Sequence, residues 1–370
     1  AVVNSLFGSV VGGEHFNVHV GPREKVQRAE LAAFLFFRGI GEQLQRLHLY
    51  CRRSRRQHDR STKTKVHVSD LRNLATLGAG GFGKVLKVED VRSGNFYALK
   101  LQCRNKTTKQ AVREAQALSA ANLYPYIVQL VQIFQTSAFY GILMEFCDKD
   151  LNRRILETES VFGRVEGLPH KVTARYTACV MFALEYLHSN SIVFRDLKPE
   201  NVLILTKDDI AKLTDFGLAR TVEQVVNDEG VLTCPRISMA AGTLGFMSSE
   251  AFDGNPGEGE EEQDTCWFTA RDWYSLGCCL LLMLLGEGGG RKVYAAKRHV
   301  LLPAPQGEVL DLLMKAMDAD LIADDAFDLV SSLTAAKVTD RAGAETCRKN
   351  AFLQEAIAEL EPSGFDTLPA

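Results

Sequence analysis

Strand-like and helix-like patterns do not alternate along this chain; they are segregated. Between residues 71 and 146, β-like runs at 74–89, 96–102, 127–135 and 140–146 surround glycines and enclose one helical pattern at 109–120. After Asp150 the apolar spacing becomes helical, at 171–188, 275–285, 307–317, 326–334 and 344–360. A run of strands followed by a run of helices predicts an α+β organisation: a small strand-rich lobe with one main helix, then a mostly helical body. No internal repeat is visible. The segment 254–264, rich in Gly with a Pro and four Glu, reads as a mobile solvent loop.

A length of 370 residues suggests about two domains, and 46% hydrophobic with 24% charged residues is ordinary for a globular protein. The longest apolar runs, 31–37 and 275–285, are too short to cross a bilayer, and the second reads as a buried core helix. The net charge of −3 is unevenly spread: residues 1–69 hold 12 Lys/Arg against 5 Asp/Glu, so the rest of the chain is acidic. Residues 1–66 read as a mostly helical extension. Ile40, Leu44, Leu47 and Cys51 form one helix face, and Arg52-Arg53-Ser54-Arg55-Arg56 begins a basic linker. A docking or autoinhibitory arm that joins the chain to a partner or larger assembly is the reading preferred here. Peripheral contact with an anionic membrane surface is an alternative; no nucleic acid is expected as a partner. Nine cysteines without a CxxC pair fit reduced thiols and a cytoplasmic or other reducing compartment.

Four sets of residues carry chemistry. Gly78, Gly80, Gly81 and Gly83 lie in a turn between two strand-like runs, where a backbone without side chains can approach phosphates and donate amides to them. Alone, such a turn is more often just a β-turn. Lys100 lies fifteen residues past Val85 at the end of the strand-like Tyr97-Ala98-Leu99-Lys100. Glu114, on the helical pattern, offers that lysine a carboxylate partner. Finally, Phe194-Arg195-Asp196-Leu197-Lys198-Pro199-Glu200-Asn201 is followed, fourteen residues beyond Asn201, by Asp215-Phe216-Gly217. Asp196 is placed to hold a hydroxyl and accept its proton, and Asn201 and Asp215 offer oxygens suited to Mg²⁺.

These residues, in this order, resemble the motifs of the eukaryotic protein kinase superfamily over about 70–355. The resemblance implies the two-lobed kinase fold: an antiparallel N-lobe sheet with one main helix over 70–145, a helical C-lobe over 150–355, and a tail at 356–370. It implies Ser/Thr protein kinase activity with ATP and Mg²⁺ as cofactors. By this resemblance Gly78, Gly80, Gly81, Gly83, Val85, Ala98, Lys100, Met144, Glu145, Cys147 and Leu203 bind nucleotide, with Met144 as gatekeeper and the backbone of 145–147 facing adenine. Asp196, Lys198, Lys100, Glu114 and Thr243 serve catalysis, and Asn201 and Asp215 hold metal. Lys198 is the Ser/Thr-kinase form, and Thr243 bridges Asp196 and Lys198. Phe194 stacks with Phe216, Leu118 and Leu130.

The resemblance also implies that Glu250 pairs with Arg341 and that Asp272 anchors the catalytic loop. Arg195 suggests pairing with a phosphate on the activation segment 215–250, where Thr233 and Ser238 are candidates. The form Phe194-Arg195-Asp196 and the Gly80-Gly81-Phe82-Gly83 turn are similar to the cyclic-nucleotide-dependent, basophilic kinases, and Glu200 then favours basic residues in the protein substrate. The hydrophobic C-terminal tail usual in that group is missing. Residues 16–20 and Arg38-Gly39-Ile40 resemble segments of rhoptry kinases, which leaves organelle targeting or secretion open. A kinase-shaped scaffold that binds nucleotide without transfer is the alternative function. Loss of Lys100, Asp196 or Asp215 would mark it, and none is lost.

Overall fold

The computed structural model describes residues 66–80, 83–121, 123–135, 139–162, 167–222, 225–226, 232–233, 241–253, 265–295 and 306–362. The expectations for 1–65, Gly81, Ser238 and the acidic loop 254–264 lie outside these residues, as does the side chain of Thr233. The described chain forms two compact units. One ends at residue 121 and resumes over Gln129–Phe146; the other comprises Leu123–Val128 and everything from Cys147 onward.

The first unit is a five-stranded antiparallel sheet ordered β1-β2-β3-β5-β4: β1 Leu71–Gly80, β2 Gly83–Asp90, β3 Phe96–Cys103, β4 Leu130–Gln135 and β5 Phe139–Glu145. Strand alternation sorts β3 into two faces. Leu99 and Leu101 join a core of Leu71, Leu86, Val88, Phe134 and Leu143. Ala98, Lys100 and Gln102 take the other face, and helix α1, Arg104–Ala120, packs on β3 and β5. Covered on both sides, β3 is buried from Ala98 to Gln102. Along α1, Ala111, Glu114, Ala115 and Leu118 are buried at helical spacing.

Two boundaries differ from the sequence reading. Helix α1 begins at Arg104, five residues before the expected 109. The strand expected at 127–135 begins only at Leu130. Its first two residues belong to the other unit, where Ile127 makes a parallel bridge to Leu213; just before them Tyr124 stacks on Tyr186 at 4.1 Å and Tyr126 on Phe182 at 5.7 Å. The composition was right for an extended chain, but Ile127 and Val128 pair with Leu213 of the second unit rather than with the five-stranded sheet.

The second unit is built on helices α2 Leu151–Phe162, α3 His170–Ser189, α4 Ser249–Asp253, α5 Thr265–Ala295, α6 Gln306–Asp318, α7 Asp324–Leu333, α8 Ala344–Lys349 and α9 Gln354–Leu360. Small sheets join them: β6 Lys149–Asp150 with β8 Val202–Leu205 and β9 Ile210–Leu213; β7 Ile192–Val193 with β10 Arg220–Thr221; and β11 Val225–Val226 with β12 Leu232–Thr233. Helix α5 packs on α3 and α7. Its stretch Phe268–Gly286 is long and apolar enough to cross a membrane, a correction to the shorter run read from sequence. That stretch is 94% buried within the protein, which makes it a core helix.

Helix α2 was not anticipated. The helix expected over 344–360 is broken at Asn350, whose backbone is extended and whose side chain accepts from the Phe352 amide at 3.0 Å. Ala356, Ile357 and Leu360 are buried, and the Leu360 carbonyl accepts from the Tyr126 hydroxyl. The packed body therefore runs to Leu360, past the expected start of the tail at 356.

Candidate active site

In the first unit the expected nucleotide-binding residues begin at the β1–β2 turn. Gly83 has φ of +144°, and a Cβ there would sit 1.9 Å from the Leu101 carbonyl oxygen, so only glycine fits. At Gly78 a Cβ would meet nothing within 4 Å, which leaves the strand open on that side. Gly80 pairs with Gly83, Val85 with Lys100, and Ala98 with Met144 across the sheet. Lys100 Nζ lies 2.6 Å from Glu114 Oε1, and both side chains are buried. Gln102 Nε2 donates to Glu114 Oε2 at 2.7 Å. The Glu145 amide donates to the Gln129 carbonyl at 3.0 Å, so it is not a donor to adenine.

In the second unit Cys147 is buried and Leu203 half-buried. The loop after β7 hangs on one carboxylate. Asp272, on α5, accepts from the Phe194 and Arg195 amides at 2.8 Å each, and His188 Nε2 lies 2.9 Å from its Oδ2. Arg195 has φ of +74°, a conformation that costs a non-glycine residue about 1–3 kcal/mol; the paired amide bonds to Asp272 hold it there. The bend delivers Asp196 into a polar cluster. Its Oδ1 accepts from Thr243 Oγ1 at 2.7 Å, and its Oδ2 from Asn201 Nδ2 at 3.0 Å. Lys198 Nζ donates to Thr243 Oγ1 at 2.7 Å and lies 3.2 Å from Asp196 Oδ2. Gly242, preceding Thr243, has φ of +136°, and a Cβ there would come within 2.9 Å of the Arg195 carbonyl oxygen.

Asp215 sits in the left-handed region at φ 61° and accepts from the Gly217 amide at 3.3 Å. The Thr214 amide donates to the Asn201 carbonyl at 3.0 Å, tying the segments that carry Asn201 and Asp215. Phe194 and Phe216 meet edge to face at 5.2 Å; Leu118 and Leu130 belong to the first unit. Glu200 is exposed. A small pocket below this cluster is lined by Arg195, Asp196, Thr243, Phe246, Met247 and Arg271. Burial first, then the neighbouring Arg271 and Arg220, bring the Arg195 guanidinium down to about 10, with Asp272 opposing.

At the far end of the segment, Arg341 grips Glu250 with both fork nitrogens at 2.5 and 3.2 Å. Burial alone would raise the Glu250 carboxyl. The Arg341 hydrogen bonds and charge, with the Ser248 hydroxyl, hold it below the usual carboxylate value. Ser275 Oγ donates to the Phe246 carbonyl at 2.7 Å, tying the segment to α5.

Residues 71–353 match the protein kinase domain. The chain belongs to that family. It is 30% identical over 275 residues to a cAMP-dependent protein kinase type 3 of Saccharomyces cerevisiae, covering 71% of this chain and 62% of that one. It is 31% identical over 240 residues to a cAMP-dependent protein kinase catalytic subunit of Schizosaccharomyces pombe, covering 64% and 41%. It is 31% identical over 220 residues to mitogen-activated protein kinase kinase 8 of Arabidopsis thaliana, covering 59% and 64%. The chain thus spans less than two thirds of each of these relatives.

The donor set fits a magnesium–nucleotide. Asn201 Nδ2 is committed to Asp196, which turns the amide oxygen into the group Asn201 can offer a cation, and Asp215 adds a carboxylate. Magnesium is held by few protein oxygens and completed by phosphates and water. Among the described residues no group of three or more His, Cys, Asp or Glu could hold a metal by itself. Three contributors went unread in the sequence: Gln102, His188 and Arg271. Only Gln102 left a signal, its two-residue offset from Lys100 on a strand.

Proposed function

We propose that the chain transfers the γ-phosphate of ATP to a Ser or Thr hydroxyl of a protein. The observation that carries this reading is the Asp196–Thr243–Lys198–Asn201 cluster, in which one carboxylate is oriented through both oxygens. Magnesium, when bound, would shield the phosphate charge. Asn201 and Asp215 would hold it, and Lys100, fixed by Glu114, would grip the phosphates. Asp196 orients the acceptor hydroxyl and takes its proton as the new O–P bond forms and the bond to the β-phosphate oxygen breaks. Lys198 lies beside that carboxylate and supplies positive charge for the transferring group. Relatives named as Ser/Thr kinases, among them serine/threonine-protein kinase N3 of mouse, support the substrate class.

Two finer readings accompany it. The exposed Glu200 favours basic residues near the target, and the buried Arg195 with Arg220 and Arg271 nearby favours control by a phosphate on the activation segment. Residues 1–66 serve as the docking arm.

The test is transfer from labelled Mg-ATP to basic Ser/Thr peptides, comparing wild type with Asp196→Asn. Loss of a positioned base should lower kcat by roughly 10²–10⁴-fold. If wild type shows no transfer even after activation-segment phosphorylation and removal of 1–66, the scaffold reading replaces this one.

A further inference from the structure

Glu114 is held through both carboxylate oxygens. Lys100 Nζ takes Oε1 at 2.6 Å, and the Gln102 carboxamide donates to Oε2 at 2.7 Å. Both donors come from one strand face. Lys100 and Gln102 are two residues apart on β3, paired to Ile142 and Tyr140 of β5, so the sheet fixes their separation. Gln102 is 0% exposed and Glu114 1%. The Gln102 oxygen is buried and finds no hydrogen-bond partner among the described residues. An unsatisfied buried acceptor is less favourable than an apolar side chain of the same size. Packing therefore does not account for a glutamine here; the bond to Glu114 does.

We propose that Gln102 is a positioning residue for nucleotide. It fixes the plane of the Glu114 carboxylate, and through it the Lys100 ammonium that grips the phosphates. The inference rests on the kinase reading of the Lys100–Glu114 pair and adds a second donor to it. A lysine is a point charge on a flexible stem, and one contact to a carboxylate that can rotate leaves it loosely placed. A second donor from the same rigid strand removes that rotation, and the preorganised pair meets phosphate without reordering.

The experiment is calorimetric binding of Mg-ATP, which needs no turnover, to the full chain and to Lys100→Met, Glu114→Gln, Gln102→Met and the Gln102→Met/Glu114→Gln double variant. Thermal unfolding is followed in parallel. Gln102→Met should weaken binding about tenfold, the scale of one charge-assisted hydrogen bond, with a modest fall in Tm from the donor that Glu114 loses and a folded protein at the binding temperature. In the Glu114→Gln background it should have no further effect, because its action passes through the carboxylate. Wild-type affinity in Gln102→Met, or equal weakening in both backgrounds, overturns the inference while leaving the kinase reading intact, provided Lys100→Met and Glu114→Gln bind weakly. Wild-type affinity in those two variants, or no binding by wild type, overturns both.

Discussion

Among the described residues, two buried ion pairs look alike in sequence, each a basic and an acidic residue distant along the chain, and they are built differently. Arg341 is saturated by fixed acceptors. Besides both Glu250 oxygens it donates to the carbonyls of Ala335, Ala270 and Ala336, and its guanidinium lies over the Tyr274 ring at 5.2 Å. Lys100 is a point charge that meets Glu114 Oε1 at 2.6 Å, and Glu114 Oε2 also accepts from the neutral Gln102 amide. The planar fork suits a permanent tie between the end of the activation segment and the helices beneath it. The point charge suits a group that must also meet a ligand. Burial alone does not separate a structural pair from a functional one; the geometry of the donors does.

The sharpest way to break this comparison is Arg341→Met. It leaves Glu250 buried beside no cation in its fork, and breaking such a pair costs about 3–5 kcal/mol. Denaturant unfolding should show that loss in the second unit. Lys100→Met should reverse the balance. Phosphate transfer is expected to fall by at least about 10²-fold, while stability falls by less than in Arg341→Met, because Glu114 keeps the Gln102 donor. Equal stability losses in the two variants would erase the distinction.

A finer test uses pH. The folded Glu250 carboxyl lies below its ordinary value of 4.5, so its contribution is complete above that value and is lost as pH falls through the depressed folded pKa. Unfolding free energy measured from pH 6 down to 3 should drop less steeply in Glu250→Gln than in wild type. The smallest effect belongs to Lys171, fully exposed and paired with Glu355 at 2.6 Å. Lys171→Ala should leave Tm unchanged by scanning calorimetry, since solvent screens such pairs.

Much of the site was legible because its residues are fixed by chemistry at set spacing. Asp196, Lys198, Asn201, Asp215 and Thr243 are named by residue type, and the structure shows how Asp272 and His188 aim the loop that carries Asp196. Helices with strong apolar periodicity, such as α3 and α7, were read nearly to their ends. Elements whose identity depends on a distant partner were not. Ile127 and Val128 read as the start of a strand until Leu213 of the second unit claimed them, and Asn350 interrupts a pattern that periodicity alone carries through. Gln102 read as an ordinary strand residue because nothing local says that a helix residue twelve positions on, Glu114, turns its carboxylate toward it.

The sequence by itself determined the family, the order of strand-rich and helical units, and the residues proposed to meet phosphate, metal and hydroxyl, since those follow from side-chain chemistry and local spacing. Only the tertiary structure decided which polar groups share a partner: two donors on Glu114, three on Asp272, and four acceptor groups around Arg341. Those assignments require distances between segments far apart in the chain, and burial makes each partner obligatory once water is excluded.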